Sequence, residues 1–264
     1  MEELEEEKGL GGNVRSVERA IAILTVLATE SRPLGVGEIA SAVKLHPATV
    51  HRLLTTLVGL GWVEKPRLSR YRLGIRMLGL AALGVAQSPL VTICRDLLRR
   101  LADFSGWSAY LSVLIDGRVV DLARSPGRLS QAAPAFEFGV GRSQPAYASA
   151  DGKLLLAYLA DEERERLLGA EPLRSFTAKT LVRPADLERE FETIRAREFA
   201  VDRGERWDFL RGVAVPVFGP DRAVQAALLC FGRFDLSAQL EDSLRQEMML
   251  LAQELSQHLQ MLGE

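Results

Sequence analysis

The side chains between Pro47 and Thr55 are of the types that contact base edges in a DNA groove. Apolar residues recur among them at intervals of three and four, which predicts an amphipathic helix. Its predicted buried stripe consists of Val50, Leu53, Leu54, Leu57 and Leu60. The residues away from that stripe are small, polar or basic: Ala48, Thr49, His51, Arg52 and Thr55. Because methyl groups contact thymine and arginine binds guanine through two hydrogen bonds, we expect a recognition helix that starts at Pro47.

The elements around this helix are those of a winged helix-turn-helix. A shorter helix after Val36 and a tight turn precede it, and a basic hairpin is predicted to follow. The strand-forming residues of the hairpin are Trp62, Val63, Tyr71 and Leu73. Its turn carries residues that could reach phosphates or a minor groove: Lys65, Arg67, Ser69 and Arg70. An ordinary helical hairpin with a solvated polar face would explain the second helix alone, but not this whole order of elements.

Basic charge is concentrated in the first third of the chain. Residues 13–88 contain ten Lys/Arg and four Asp/Glu, whereas the whole chain has a formal net charge of −2. A basic domain in a near-neutral chain is typical of a protein that binds double-stranded DNA. Residues 1–12 carry five glutamates and no apolar pattern, so we expect a disordered acidic tail there. The first core helix is predicted to begin near Arg15, which is also a candidate for contact with DNA. Its predicted N-cap is Ser16, and its predicted buried stripe is Val17, Ile21, Leu24 and Leu27.

Several function classes are disfavoured by what the sequence lacks. The two cysteines and three histidines show no zinc-site spacing, so we expect no metal and no cofactor. No Cys–His or Ser–His–Asp set and no Gly-Xaa-Ser-Xaa-Gly motif is evident, so we expect no catalytic residues and no enzyme. There is no signal peptide and no apolar run of about 18 residues, which favours a cytoplasmic protein without a membrane partner. Two alternatives to a DNA-binding protein remain: an enzyme, and a protein-interaction module that uses the helix-turn-helix for protein contacts.

The rest of the chain is predicted to form a second domain of the α/β (α+β) class. An apolar helix over residues 75–88 would link the domains. In a dimer, its apolar surface could pack against the same helix of the second protomer. An amphipathic helix follows over residues 90–101, and both helices argue against a monomer. Strands over 110–115 and 119–123 flank the hairpin turn Asp116-Gly117. Helices over 161–168, 184–197 and 236–262 and strands over 212–218 and 223–231 complete an antiparallel or mixed sheet with helices against it.

Short strings over residues 13–262 resemble the isocitrate lyase regulator (IclR) family of bacterial transcription factors. They lie at residues 15–20, 46–54, 71–74, 149–157, 176–181, 199–202 and 212–217. The tail over 1–12 lies outside the resemblance, which implies a winged helix-turn-helix over 13–74, a linker helix over 75–88 and a GAF/PAS-like effector-binding domain over 89–264. It also implies a ligand-responsive DNA-binding regulator, more often a repressor than an activator, that forms homo-dimers or tetramers.

This chain departs from the family at the implied effector pocket. Members that sense small carboxylates use backbone N–H groups of the loop before a Gly-Lys, an Asp, a Cys and two Ser. The matching positions here are Ala150, Asp151 and Gly152 for the loop, then Asp202, Gly212, Leu229 and Phe231. Because a small anion needs charge-assisted donors, these changes favour a roomier, more apolar pocket for a larger aromatic or apolar effector. There are two alternatives. The regulator could sense a small carboxylate, or these side chains could simply extend the core while the effector binds elsewhere or not at all.

Aromatic residues near these segments are further pocket candidates, although aromatic side chains are more often core. They are Phe136, Phe138, Tyr147, Trp207 and Phe209. Cys94 and Cys230 lie in apolar runs and are expected in the core. Glu198 stands where the family usually carries glycine. If that position needs a positive φ, the local loop is expected to differ here.

Overall fold

The computed structural model describes residues 14–30, 32–66, 69–129, 141, 143–169, 173–233 and 238–262. The chain divides into two compact units, Met1–Gly84 and Val85–Glu264. The acidic tail predicted for residues 1–12 lies outside the described residues. The two-domain α/β fold predicted from the sequence is confirmed, with a helix-turn-helix unit first and a sheet-based unit second.

The first unit has the order of elements expected of a winged helix-turn-helix. They are α1 (Arg15–Thr29), β1 (Leu34–Gly35), α2 (Val36–Ala42), α3 (Pro47–Gly59), β2 (Val63–Glu64) and β3 (Arg70–Leu73). The three short strands pair antiparallel in the order β1-β3-β2. Strand β1 was not predicted, since two residues are too few to carry a periodic signal. It pairs with the hairpin strand that follows the recognition helix and so attaches the wing to the start of α2.

The apolar stripes of the two longer helices are only partly as predicted. In α3 the core residues are Val50, Leu54 and Leu57, but Leu60 is 51% exposed because the helix has already ended before it. In α1 the buried residues are Ile23 and Leu27. Two residues of the stripe predicted for α1, Val17 and Ile21, are exposed. The predicted N-cap Ser16 is also wrong, because the helix begins at Arg15 and its N-cap is Val14.

Helices α4 and α5 differ sharply in burial. Helix α4 spans Ile75–Gln87 and has no buried residue; four of its large apolar side chains are more than half exposed, namely Ile75, Leu78, Leu80 and Leu83. Helix α5 spans Pro89–Ser105 and buries its stripe inside its own unit, through Val91, Cys94, Leu97, Leu98 and Leu101. The prediction that residues 90–101 argue against a monomer is therefore wrong. No single described helix is long and apolar enough to span a membrane; only α4 and α5 taken together meet that length and composition.

The second unit is built on a six-stranded antiparallel sheet in the order β6-β5-β4-β9-β8-β7. Its strands are β4 (Ser108–Ile115), β5 (Arg118–Ser125), β6 (Ser143–Pro145), β7 (Ala200–Asp202), β8 (Leu210–Phe218) and β9 (Val224–Arg233). Its helices after α5 are α6 (Ala150–Ala157), α7 (Asp161–Leu168), α8 (Pro184–Arg197) and α9 (Ala238–Leu262). Asp116 and Gly117 have φ values of 48° and 72°, as the predicted two-residue hairpin turn requires.

Helices cover both faces of this sheet, and the alternation along β8 separates the two cores. Val213, Val215 and Val217 pack with α5 and α9 in one core, together with Cys94 and Cys230 as predicted. Leu210 and Ala214 pack with α6 and α8 in the other. Successive side chains of a strand point to opposite faces, so even-numbered residues of β8 face α6. The candidate ligand pocket lies on that face.

Candidate functional site

The exposed face of α3 carries the residues predicted to read DNA. Ala48, His51, Arg52 and Thr55 are exposed, and Thr49 is half-buried. In the described part of the chain Arg52 forms no ion pair, so its guanidinium group is available to a base edge. Thr55 is partly occupied, because its Oγ1 donates to the His51 carbonyl at 2.9 Å. Such an exposed row of small and basic side chains fits a major groove.

The start of α3 is held by His46, a residue that the sequence reasoning did not assign to the site. Its Nδ1 accepts a hydrogen bond from the Ala48 N–H at 3.3 Å, and Pro47 occupies the first helical position. Side-chain acceptors at this position satisfy N–H groups that the helix leaves unbonded. The signal available in the sequence was a polar residue directly before a proline that opens an amphipathic run.

Among the basic residues of the wing that the structure describes, Arg70 and Arg72 pair with glutamates, whereas Lys65 forms no ion pair. Lys65 is exposed and lies 5.6 Å from the centre of the Tyr71 ring, and Ser69 is exposed with a φ of 55°. Arg15 is exposed at the first position of α1. Arg67 lies outside the described residues. These placements are compatible with phosphate contacts from Arg15, Lys65 and Ser69, which stay predictions.

Arg70 lies at the start of β3 and is bound within its own domain. It donates to the Pro33 carbonyl at 3.0 Å and to Glu38 at 3.3 Å. Arg32 also donates to Glu38, at 2.7 Å, and that hydrogen bond is the largest cause that lowers the pKa of Glu38. Arg70 therefore links the wing to the start of α2 as well as contributing positive charge, a role that composition alone did not indicate.

The candidate ligand pocket lies between the start of α6, the end of β7 and strands β8 and β9. Six of the predicted positions line it: Ala150, Asp151, Asp202, Gly212, Leu229 and Phe231. Its other described lining residues are Gln144, Ser149, Trp207, Leu210 and Arg211. Of these, only Trp207 was singled out in the sequence, as one of the aromatic candidates. Gln144 and Ser149 are buried, but the sequence around them has no periodic apolar pattern that would have predicted this burial.

The pocket is smaller than the sequence analysis predicted. Its volume is about 20 Å³, which is room for about one water molecule. The side chains of Leu229 and Phe231 occupy the space that smaller polar residues would leave, and Phe231 stacks on Tyr110 with ring centres 4.9 Å apart. A Cβ at Gly212 would lie 3.3 Å from Leu229 Cδ1 and 3.4 Å from Phe231 Cβ. The glycine on β8 and the two large residues on β9 are therefore sterically linked.

Two of the predicted pocket residues that the structure describes, Tyr147 and Gly152, do not line this cavity. The Tyr147 hydroxyl donates to the Arg174 carbonyl at 2.9 Å, and its ring stacks on Phe176. Gly152 is needed for packing, because a Cβ there would overlap the backbone of Ala146. Phe138 lies outside the described residues, as does Phe136.

The segment before Lys153 is the first turn of α6 rather than a loop. The helix begins at Ala150, and the Ser149 hydroxyl caps it by accepting the Gly152 N–H at 3.4 Å. Asp151 is fully buried, and its Oδ1 also accepts the Gly152 N–H, at 3.0 Å. A carboxylate in the first turn interacts favourably with the helix dipole. This helix start therefore already carries its own negative charge at the pocket.

Asp202 closes the turn that follows β7. Its Oδ1 accepts hydrogen bonds from the Gly204 N–H at 2.9 Å and the Glu205 N–H at 2.7 Å. Burial raises the pKa of Asp202, while these two N–H donors and Lys153 oppose that rise. Asp202 thus shapes the pocket wall in addition to lining it.

Lys153 is buried beneath the pocket and was missed by the sequence reasoning. Its Nζ donates to Glu205 at 2.5 Å, to the Val201 carbonyl at 3.1 Å and to Glu190 at 3.2 Å. Burial raises the pKa of Glu205 to about 7. The network ties α6 to α8 and to the segment after β7. The available signal was a single lysine directly before the apolar run Leu154, Leu155, Leu156 and Ala157 of α6.

The loop after α8 keeps the conformation that a glycine would adopt. Glu198 ends the helix with φ 58° and ψ 27°, in the left-handed region. The expectation that the loop must differ here is therefore wrong. The backbone retains the left-handed geometry and Glu198 accepts it at a cost in strain.

Comparison with known proteins gives matches along almost the whole chain. The family model described as the bacterial transcriptional regulator IclR C-terminal domain matches residues 83–257, and the IclR helix-turn-helix domain model matches residues 16–67. The HTH-type transcriptional regulator BhcR of Paracoccus denitrificans is 35% identical over 83% of this chain and 78% of its own length. The transcriptional repressor IclR of Escherichia coli is 28% identical over 84% of this chain and 81% of its own length.

Solved structures agree with these matches. An IclR transcriptional regulator from Alicyclobacillus acidocaldarius superposes with a TM-score of 0.73 at 25% identity, over 94% of this chain and 99% of its own. An IclR homologue from Microbacterium hydrocarbonoxydans, determined in complex with 4-hydroxybenzoate, superposes with a TM-score of 0.68 at 22% identity, over 92% and 98% of the two chains. The second likeness concerns the fold alone.

Proposed function

The chain belongs to the IclR family of bacterial transcriptional regulators, and on that premise we propose that it is a repressor released from operator DNA by a small aromatic or apolar effector. The observation that carries the DNA-binding half is the exposed face of α3, with Arg52 in its first half and without an ion pair in the described residues. Its place of action is the cytoplasm, where its operator lies. No catalytic step is assigned to any of its residues.

We assign base contacts to α3 and phosphate contacts to the elements beside it. The base-reading residues are Ala48, Thr49, His51, Arg52 and Thr55, with Pro47 fixing the start of the helix. The phosphate-contacting residues are Arg15, Lys65, Arg67, Ser69 and Arg70. A gel-shift titration on the gene's upstream region tests this division. Affinity should fall steeply with salt, since phosphate contacts release counterions. Absence of binding to that region at low salt would refute the proposal.

We propose that the protein acts as a homo-dimer or a larger assembly of dimers. The exposed apolar residues Val17 and Ile21 of α1 and Leu78 and Leu83 of α4 form faces of the kind that soluble monomers rarely leave uncovered. Two winged helices related by a two-fold axis would read a near-palindromic operator. Sedimentation velocity on wild type and Leu78→Glu tests this, with the exposed Arg76→Glu as a control for the added charge. A wild-type monomer would contradict it.

We place the effector in the pocket beside α6. Its walls include Trp207, Leu210, Leu229 and Phe231, which suit an apolar or aromatic body. A relative of the same fold binds 4-hydroxybenzoate, which supports this class of ligand. Because the cavity has room for about one water, binding must move these side chains. That movement is the means by which the effector would shift the population toward a state with weaker DNA affinity. A ligand that releases the operator without any effect of Phe231→Ala would place the effector elsewhere.

A further inference from the structure

Gln144 is a buried amide with no partner in the part of the chain that the structure describes. It lies on β6 with 3% of its surface exposed, and neither Oε1 nor Nε2 has a hydrogen bond. Both atoms belong to a residue that lines the ligand pocket. Buried polar groups in native proteins are nearly always hydrogen-bonded, and an unsatisfied one costs about 1–3 kcal/mol. An amide held in this way indicates a polar group of the ligand as its partner.

The charges that face the cavity disfavour an anion. Asp151 lines it and is fully buried, so its charge is poorly screened. Asp202 also lines it, but it matches the aspartate that carboxylate-sensing members of the family use, so it does not by itself disfavour an anion. Arg211 also borders the cavity, but it follows Leu210 on β8 and its side chain therefore points to the opposite face. Lys153 does not offset the charge of Asp151 toward a ligand, since Glu190, Glu205 and the Val201 carbonyl already bind its Nζ. Among the described lining residues, no cationic side chain is directed into the cavity.

The groups that remain select a neutral polar group on an apolar body. A hydroxyl group both donates and accepts, so it can pair with the two atoms of the Gln144 amide and with a carboxylate oxygen. Trp207, Leu229 and Phe231 then surround the apolar part of the ligand. A carboxylate would instead be buried beside the like charge of Asp151, and no described cationic lining residue is directed at it.

We propose that Gln144 and Asp151 make this pocket selective for an uncharged hydroxyl-bearing effector, an alcohol or a phenol, over a carboxylate. The inference rests on the proposed function of the pocket and narrows it. Gln144 is the residue that recognises the hydroxyl group, and the charge of Asp151 disfavours the acid. The same pocket with a cation in place of Asp151 would lose that selectivity.

Calorimetric titration of the full-length protein with three matched probes tests the proposal. The probes are 4-methylphenol, 4-methylbenzoate and 4-methylanisole, which share one apolar body and differ in the polar group. The phenol should bind more tightly than the other two. Tighter binding of the benzoate, or no binding of the phenol at millimolar concentration, would overturn the inference.

Two variants then identify the residues responsible. Gln144→Leu should weaken the phenol about tenfold, as expected for the loss of a hydrogen bond in a buried site, and should leave 4-methylanisole unaffected. Its melting temperature should not fall, since leucine has a similar volume and no unsatisfied polar atom. Asp151→Asn should strengthen 4-methylbenzoate relative to the phenol. The exposed Gln253→Leu serves as the control. Equal phenol affinity in wild type and Gln144→Leu would refute the role of Gln144.

Operator binding separates this inference from the proposed function. If 4-methylbenzoate, and not the phenol, releases the operator, the chain is a ligand-responsive regulator and the inference alone fails. If the protein does not bind its upstream region at all, the proposed function fails, whatever the probes do.

Discussion

Lys153 Nζ lies 2.5 Å from Glu205 Oε1 in a network that is closed to solvent on one side of the ligand pocket. The lysine belongs to the same helix whose first turn lines the pocket, and the glutamate follows the turn that Asp202 holds. The pair therefore connects two walls of the pocket, the start of α6 and the turn after β7, although neither Lys153 nor Glu205 lines the cavity. Any change in this pair should alter both stability and the response to an effector.

Replacement of Lys153 by methionine should destabilise the second unit strongly. Removing one partner of a buried ion pair leaves an uncompensated charge and typically costs about 3–5 kcal/mol. Here the cost should fall near the lower end, because a carboxyl whose pKa lies at about 7 can take up a proton. Urea unfolding at neutral pH measures it. Arg166→Met, at an exposed position of α7, is the control, and equal stabilities of the two variants would contradict a buried pair.

The stability of the protein should depend on the pH through Glu205. Burial raises the pKa of Glu205 to about 7, above an ordinary value of about 4.3. A carboxyl with a higher pKa in the folded chain binds its proton more tightly there, so its contribution to the free energy of unfolding falls as the pH rises from about 5 to 7, and then levels off. The contribution of Glu205 can be isolated by measuring the free energy of unfolding of wild type and of Glu205→Gln across this pH range. The difference between the two curves should flatten above about pH 7, and a difference that grows in favour of wild type would mean that the Lys153 charge dominates.

Two arginines of the first unit should have separable effects on DNA binding. Arg52→Ala should cost about 1–3 kcal/mol on the cognate operator and relax sequence preference, because a base contact carries the discrimination. Arg70→Ala should weaken cognate and random DNA alike, and should also lower the melting temperature, since it frees Glu38 and the Pro33 carbonyl. Competition gel shifts with both DNAs give the comparison. Equal losses on both DNAs for both variants would contradict the division.

Glu198→Gly should stabilise the protein. A non-glycine residue in the left-handed region costs roughly 1–2 kcal/mol, and the greater freedom of glycine in the unfolded chain offsets roughly 0.5–1 kcal/mol of the gain. A net increase of about 0.5–1 kcal/mol in the free energy of unfolding follows, and thermal denaturation can detect it. Glu198→Ala keeps the Cβ and should give no such increase. If alanine stabilises as much as glycine, then removal of the charge, and not the backbone, is the cause.

Local signals in the sequence predicted the elements with clear boundaries. The starts of α3 and α8 follow from a proline at the first position of each helix, and the Asp116-Gly117 turn follows from its residue types. The face of α1 was only half predicted, because its apolar residues fit two adjacent stripes and only packing within the unit distinguishes them. Leu27 is buried and Leu24 packs against the core, as predicted. One of those stripes, with Val17 and Ile21, faces outward.

The periodic sequence patterns could not predict contacts between residues that lie far apart in the chain. Lys153 meets Glu190 and Glu205 only once the sheet has formed, and Gln144 reaches the pocket through the pairing of β5 with β6. The positions of the pocket residues were largely predicted, but its size was not. Residue types predict polarity, whereas volume depends on how Leu229 and Phe231 pack in three dimensions.

The steric link between Gly212 and its two neighbours on β9 also restricts how this regulator can change its ligand over generations. A Cβ at position 212 would lie 3.3 Å from Leu229 Cδ1 and 3.4 Å from Phe231 Cβ, so a larger residue there requires these two side chains to shift by a few tenths of an ångström. Smaller residues on β9 would remove this requirement. Substitutions at position 212 and on β9 are therefore expected to influence one another when the ligand of the regulator changes.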